Sequence, residues 1–245
     1  MPLLGPENVD EIYAARADEV TSSRPVLTGD VFREIVIPGV GVDHTHAMVI
    51  SHPCNMRAGP HLRERIQMIP IVSHDEVPLD GWLTGHVRYF MLPESGLSIG
   101  SCAARFDETG MVPSSDLTPE RRAICLSERG ILLLLHRLIY SQSRADIDLE
   151  RLEKAVAHVL AEAELLEEWN EKLLPARRMT ESDLVRALAI EAQKFDQFME
   201  ATANPSLREQ LKDQHRRPSV RREARREMAT RLEDQGSTPM IPPVT

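Results

Sequence analysis

The chain has 245 residues, of which 42% are hydrophobic and 27% charged, and its formal net charge is −9. This length and composition suffice for a hydrophobic core, which excludes an intrinsically disordered chain. The acidic charge opposes indiscriminate binding to nucleic acid, because Lys and Arg drive phosphate binding. Three cysteines are too few for a disulfide framework, and no apolar run approaches the roughly 20 residues that span a bilayer. We therefore expect a cytoplasmic protein that does not enter a membrane.

The N-terminal half of the sequence predicts an arm followed by a sheet. Residues 1–27 mix charge, Ser and Pro, which predicts a lead-in arm with a short helix over 8–20. From Thr28 onward, short runs rich in Val, Ile, Met, Phe and Tyr alternate with Pro, Gly, Asp or Ser clusters. They predict strands over 31–37, 47–51, 66–72, 86–92 and 98–106. Because no long helical pattern separates these strands, we expect a strongly bent sheet or barrel over 28–144.

Helices are predicted after the strands. Thr118 is a candidate N-cap ahead of Pro119, so we predict a helix from residue 119, broken at 127–130 and then packed on the barrel. Beyond Arg144 the sequence becomes charged and rich in Ala and Leu. Two rows of residues recur there every seven positions, which predicts a long helix packed along a partner helix. The rows are Leu149, Val156, Ala163 and Asn170, and Leu152, Val159, Leu166 and Leu173.

The long helix is predicted to end at Pro175, and a second helix is predicted to begin at the capping sequence around Thr180. The two helices can close on each other as a hairpin, or the first can pair with its own copy. We favour a homodimer, in which Asn170 would help to fix the register of the paired helices. The helical extension is predicted over 146–234, with a disordered tail over 235–245.

The stretch from Leu207 is helix-prone and basic, and Pro218 is predicted to break it. Between residues 208 and 226, 8 Lys and Arg residues stand against 3 Asp and Glu residues. A solvated helix face is the simpler interpretation, and contact with nucleic-acid phosphates is the alternative. The candidate nucleic-acid-binding residues are Arg216, Arg217, Arg221, Arg222, Arg225 and Arg226.

Three segments carry a resemblance to a known family. Thr28-Gly29-Asp30-Val31 is followed by MVISHPCNMR and then by IQMIPIVS. In this order they resemble the MazF/PemK toxin superfamily, whose SH3-like barrels open with a Gly-Asp-hydrophobic strand and continue with a "VIS" strand and a strand ending in "P-[IL]-T-S". The resemblance covers about residues 28–144 and implies a small SH3-like antiparallel β-barrel with a packed helix. With the all-α C-terminal extension, a helical hairpin or coiled coil, the predicted fold class is α+β.

MVISHPCNMR also resembles, in part, a group of bacterial barrel-like proteins that carry an "SQ-x-CD" signature. Ser51, His52 and Cys54 match that signature, and Asn55 stands in place of its acidic residue. This second resemblance leaves the biochemistry open.

The MazF/PemK resemblance implies metal-independent cleavage of single-stranded RNA, with an arginine just before the "VIS" strand and a Thr or Ser after the "P-[IL]" strand. This chain has His44 and His46 in the first region, without an arginine, and retains only Ser73 in the second. Imidazole titrates near neutral pH, so either histidine is a candidate general acid or base. Ser73 would then position the phosphate, and Arg57 or Arg105 would stabilise the developing charge.

Six of the nine histidines fall between residues 44 and 86. Scattered histidines on a half-polar sheet are the plainer interpretation. A zinc site is the alternative, because His44 and His46 project from one face of a strand and His52 and Cys54 repeat that spacing. The pattern lacks the paired Cys-x-x-Cys spacing of strong zinc motifs, so these four are weak candidates and we predict neither a metal nor another cofactor.

Two functions remain open from the sequence. The chain is either a MazF/PemK-like endoribonuclease of a bacterial toxin or defence type system, or a catalytically inactive SH3-like binding module. The module would assemble through its C-terminal helices and bind a protein or nucleic-acid partner such as RNA. The altered catalytic positions favour the module, because a shared fold does not establish a shared activity.

Overall fold

The computed structural model of the chain describes residues 3–41, 46–83, 85–174, 179–201 and 205–236. The fold is α+β, as predicted, with a curled antiparallel sheet and helices that are mostly C-terminal. The chain divides into two compact units. The first contains the residues up to Ser22 and Val26–Leu160, and the second contains Ser23–Pro25 and the chain from Ala161 onward.

The strands all lie in the first unit. Along the described ranges they are β1 (Tyr13–Arg16), β2 (Val31–Arg33), β3 (His46–Val49), β4 (Arg57–Ala58), β5 (His61–Leu62), β6 (Arg65–Ser73), β7 (Tyr89–Met91), β8 (Cys102–Arg105), β9 (Gly110–Pro113) and β10 (Arg122–Leu126). The helices are α1 (Pro53–Met56), α2 (Glu128–Ser143), α3 (Leu149–Leu173), α4 (Glu181–Glu200), α5 (Leu207–Leu211) and α6 (Arg217–Gly236). None of these helices is long and apolar enough to cross a membrane.

The main sheet has the strand order β1-β10-β2-β3-β6-β8-β7, and β9 also pairs with β6. The long strand β6 organises it, because Met68 pairs with Val49 of β3 on one edge and with Gly110 of β9 on the other. Further along that second edge, Ser73 pairs with Cys102 of β8. The predicted strands are thus confirmed as β2, β3, β6, β7 and β8. The SH3-like identity of this sheet stays a prediction.

The Gly-Asp pair that opens β2 has a structural role. Gly29 has a φ of +87°, and a Cβ atom there would lie 2.4 Å from Cδ1 of Leu126, so only glycine fits. The buried carboxylate of Asp30 accepts the N–H of Leu27 at 3.0 Å and lies 3.6 Å from Nε of buried Arg122. The motif therefore joins the start of β2 to β10.

The prediction of a helix is wrong for residues 119–126. Pro119–Arg121 forms one 3-10 turn, and the next residues form β10, which is buried along its whole length between β1 and β2. A short buried strand and a buried helical turn give the same apolar run in a sequence. The predicted break is instead the start of α2, where Oγ of Ser127 accepts the N–H of Gly130 at 2.9 Å. The leucine face of α2 is confirmed as buried.

The short helix predicted over 8–20 is also wrong. A 3-10 turn at Val9–Glu11 leads into β1, whose Tyr13 pairs with Leu126 of β10. The Ala-rich sequence of β1 favours a helix locally, but pairing with a strand from the other end of the first unit overrides that preference.

The second unit is a group of helices packed around Trp169. Its buried cluster comprises Ala161, Leu165, Leu166, Trp169, Leu173, Phe195, Met199, Leu207, Leu211, Val220, Ala224 and Met228. The predicted long helix is confirmed as α3, and α4 begins after Thr180, whose side chain accepts the N–H of Asp183 at 3.3 Å. The predicted break at Pro218 is wrong, because this proline lies in the first turn of α6, where its missing N–H has no helical partner to lose.

The heptad residues of α3 in the second unit are buried within the chain. Ala163, Leu166 and Leu173 are each at most 5% exposed. Asn170 donates from Nδ2 to the carbonyl of Ser23 at 2.9 Å, so it holds the segment Ser23–Pro25 rather than an identical helix. These heptad residues are therefore buried without a second chain. The coiled coil and the homodimer stay predictions.

Candidate functional site

Of the two histidines predicted to act on RNA, the structure describes His46. His44 lies outside the described residues. His46 begins β3, pairs with Arg33 of β2 and is 6% exposed. Burial, together with the nearby Arg33 cation, lowers the pKa of His46 below its ordinary 6.5. A general base has to come within hydrogen-bonding distance of its substrate, and a buried neutral imidazole is poorly placed for that.

Arg57 is buried and bound to the backbone. Its guanidinium donates to the carbonyls of Val26 at 2.7 Å, Pro60 at 2.5 Å and Gly59 at 3.3 Å. An arginine that stabilises a transition state has to aim its N–H groups at the reacting phosphate. Arg57 directs them at its own chain and fixes the turn between β4 and β5.

Ser73 is exposed at the end of β6. Its pairing with Cys102 and the alternation of side chains along strands place it on the face opposite to Arg105. Arg105 is itself paired with Asp107, at 3.5 Å, and with Glu108. The same alternation puts His46 and Ser73 on one face of the sheet, but one is buried and the other is exposed. His46, Ser73 and Arg57, the predicted catalytic residues that the structure describes, are therefore not gathered into one exposed site.

The weak metal candidates have other contacts. His52 caps α1, where its Nδ1 accepts the N–H of Cys54 at 3.3 Å, so these two residues lie at a helix start and not along a strand. Burial raises the pKa of the Cys54 thiol, and burial together with His158 lowers the pKa of His52. Among the residues that the structure describes, no group of three or more His, Cys, Asp or Glu side chains is placed to hold a metal ion.

Most of the predicted nucleic-acid-binding arginines, which lie in α6 and directly before it, are engaged within the second unit. The side chains with partners are Arg216 with Asp213 at 3.4 Å, Arg217 with the carbonyl of Leu211 at 2.8 Å, Arg221 with Glu164, and Arg225 with Glu168 at 3.0 Å. Arg222 and Arg226 are exposed. The basic stretch seen in the sequence is therefore largely neutralised by the folded chain.

Comparison with known protein families and with curated protein sequences found no match to this chain. The MazF/PemK resemblance therefore rests on its three short motifs alone. The function has to be argued from the chemistry of the residues themselves.

Arg137 is an important buried group that the sequence analysis missed. It lies in α2, is 1% exposed, and donates to the carbonyls of Trp82 at 2.5 Å and of Gly85 and His86 at 3.3 Å each. Burial lowers the pKa of Arg137 to about 10. The available signal was a lone arginine after a run of four leucines, because a cation on an apolar helix face requires acceptors inside the fold.

The loop that Arg137 holds takes part in a second missed cluster. The imidazole of His86 lies 5.3 Å from that of His74 between ring centroids, and His74 lies 4.7 Å from the ring of Tyr89. His74 directly follows Ser73, and the backbone N–H of His74 donates to the carbonyl of Ser101 at 3.0 Å. His86 is exposed, and the other two rings are half-buried. We call His74 and His86 the surface histidine pair.

Proposed function

We propose that this chain is a catalytically inactive binding module that assembles through its C-terminal helices and recognises a protein partner. The observation that carries the proposal is the burial of Arg57, whose guanidinium serves three backbone carbonyls and not a substrate. The burial of His46 supports it for the same reason. Arg57 and His46, two of the residues nominated for RNA cleavage, are thus part of the buried framework of the first unit.

The charge distribution favours a protein partner over a nucleic acid. The overall charge is −9, and the arginines of α6 that have partners contact acidic side chains or a carbonyl of the second unit. We expect labelled single-stranded RNA to bind weakly in an anisotropy titration. Strong binding that falls with salt and is lost in an Arg222→Glu/Arg226→Glu variant would instead assign a nucleic-acid partner.

For assembly we propose the exposed side of α4. Val185 is 43% exposed and Ile190 is 47% exposed, whereas Ala163, Leu166 and Leu173 of the α3 heptad rows are buried. Association of two copies would remove this apolar surface from water. The proposed interface therefore differs from the paired α3 helices that the sequence favours.

The test is the molar mass of the full chain in solution, measured by light scattering over a range of concentrations. We expect a dimer for the wild type and a monomer for the Val185→Glu/Ile190→Glu variant. Val36→Glu is the matched control, because Val36 is 72% exposed but lies in the first unit. A wild type that stays monomeric, or a control that dissociates equally, would contradict the assembly surface.

A MazF/PemK-like endoribonuclease is the second candidate, and the exposure of Ser73 favours it. The resemblance places the phosphate-handling serine or threonine at this strand end. The assay is cleavage of a long single-stranded RNA in EDTA by the wild type and by Ser73→Ala, His44→Ala and His46→Ala. Cleavage that survives EDTA and is lost in one of these variants would overturn the inactive module. No cleavage, with or without added zinc, supports it.

A further inference from the structure

We propose that His74 and His86 chelate one divalent transition-metal ion at the surface of the first unit. Zinc–imidazole bonds are about 2.0–2.1 Å long, and two rings bound to one ion at a tetrahedral angle have their centres roughly 5 Å apart. The centroids of the surface histidine pair are 5.3 Å apart, with an angle of 77° between the rings. The distance between the two ring centres is therefore the one expected for two imidazoles bound to one ion, and this inference is independent of the proposed function.

The hydrogen bond of His74 determines which nitrogen is available. Its Nδ1 lies 2.8 Å from the carbonyl oxygen of Asp75. A carbonyl oxygen only accepts, so Nδ1 carries the proton and Nε2 holds the free lone pair. Metal-binding histidines commonly donate their other N–H to a carbonyl, which fixes the tautomer and the ring orientation. The contact between the rings of Tyr89 and His74 further restricts the imidazole.

Hydrogen bonds fix the backbone conformation at His86. Its φ is +56°, which is a left-handed conformation that a residue with a Cβ rarely adopts. The chain stays in this conformation because Arg137 binds the carbonyls of Gly85 and His86, and the N–H of Tyr89 donates to the carbonyl of His86 at 2.9 Å. Strained residues that a buried network holds are often found at ligand sites. The backbone that carries His86 is thus fixed without a metal.

The donor set indicates the class of metal. Imidazole suits Cu²⁺, Ni²⁺ and Zn²⁺, whereas Mg²⁺ and Ca²⁺ require oxygen ligands. Because the described residues contain no cluster of three or more His, Cys, Asp or Glu ligands, the remaining positions on the ion would be filled by water. Cu²⁺ should bind more tightly than Zn²⁺ at such a site.

The experiment is calorimetric titration of the full chain with Cu²⁺ and with Zn²⁺ in a non-coordinating buffer. We expect His74→Ala and His86→Asn each to weaken binding by at least about tenfold. Asn is chosen at position 86 because it tolerates a left-handed backbone. His61→Ala is the matched control, since His61 is an exposed histidine of the same unit, and it should leave the affinity unchanged.

Two further measurements keep the inference falsifiable. Electron paramagnetic resonance with Cu²⁺ should show coupling to two imidazole nitrogens in the wild type and to one in each single variant. Tyr89→Phe should bind as the wild type does, because it keeps the ring that contacts His74. Wild-type affinity in the His74→Ala/His86→Asn double variant, equal weakening by His61→Ala, or a large loss in Tyr89→Phe would overturn the two-histidine site. Circular dichroism of each variant confirms that it is folded.

Discussion

Arg57 and Arg137 of the first unit and Arg208 of the second unit have different hydrogen-bond acceptors. In the first unit, Arg57 and Arg137 donate to backbone carbonyls. In the second unit, Arg208 donates to Glu162 at 2.9 Å and Asp196 at 2.7 Å, and also pairs with Glu200. Although burial lowers the pKa of Arg208, the hydrogen bonds that Arg208 donates to these carboxylates raise it above its ordinary value. A carbonyl accepts hydrogen bonds at every pH, whereas a carboxylate ceases to be an anion in acid.

This difference can be followed because the chain has two tryptophans, one in each unit. Trp82 is 1% exposed and lies beside Arg137, and Trp169 is fully buried in the second unit. Replacing both by 5-fluorotryptophan gives one fluorine NMR signal per unit. Urea or acid unfolding of each unit can then be read separately in the full chain.

The largest effect is expected for Arg137→Met. The substitution leaves the carbonyls of Trp82, Gly85 and His86 without their buried donor, at a cost of about 3 kcal/mol in the free energy of unfolding. The Trp82 signal should therefore unfold at lower urea, with a smaller change at Trp169.

The control for this experiment is Arg88→Met, which removes an exposed arginine of the same unit. It should leave the Trp82 transition within about 0.5 kcal/mol of the wild type. Equal shifts for Arg88→Met and Arg137→Met would show that the buried carbonyl contacts contribute no measurable stability.

Arg208→Met should have the next largest effect, about 2 kcal/mol, and should act on the Trp169 transition. The three carboxylates would then be left close together without their shared cation. The control is Lys212→Met, because Lys212 forms an exposed pair with Glu209. A shift of the Trp82 transition that exceeds the shift at Trp169 would contradict the assignment of this network to the second unit.

A smaller effect is expected from mild acid on the first unit. Burial lowers the pKa of His46, so below about pH 6.5 the unfolded chain binds more protons than the folded chain does. The stability linked to His46 is therefore present above pH 6.5 and is lost as the pH falls. His46→Gln should flatten the pH dependence of the Trp82 transition in this range. An unchanged dependence in that variant would show that His46 does not contribute to it.

The smallest effect is expected for Glu168→Gln in the second unit. Burial raises the pKa of Glu168, but hydrogen bonds from Lys172 and Arg225 hold that pKa below its ordinary 4.5. The stability that these partly exposed contacts of Glu168 contribute is thus present above pH 4.5 and is lost in stronger acid. It should amount to less than about 1 kcal/mol near neutral pH. Urea unfolding followed at Trp169 measures it, with Glu209→Gln as the control. A cost that persists after Glu168 is protonated would contradict an electrostatic origin.

Helices α3 and α4 were predictable from the sequence to a good approximation. The heptad rows and the cap at Thr180 gave both α3 and α4, because helix hydrogen bonds and caps connect residues only a few positions apart. The same rows could not show what covers them. Asn170 binds the carbonyl of Ser23, which is distant from it in the sequence. The heptad rows alone could not reveal this contact, so they suggested a second chain.

The candidate site was less predictable than the fold. Histidine and arginine were selected for their chemistry, but the same residue types also serve as structural donors when they are buried. Arg57 thus proved to bind backbone carbonyls, and the imidazoles in contact proved to be those of His74 and His86, which no spacing rule connects. Their contact depends on a loop whose conformation is held by Arg137 from α2.

By itself, the sequence determined the α+β class, the positions of α3 and α4 and the central strands, because hydrophobic periodicity and capping act over short distances. Only the tertiary structure decided that Tyr13–Arg16 and Arg122–Leu126 are strands and that Arg57 and Arg137 bind carbonyls. Strand pairing and the burial of a cation depend on which distant segments meet. That choice is made by the packing of the whole unit, not by the residues next in the chain.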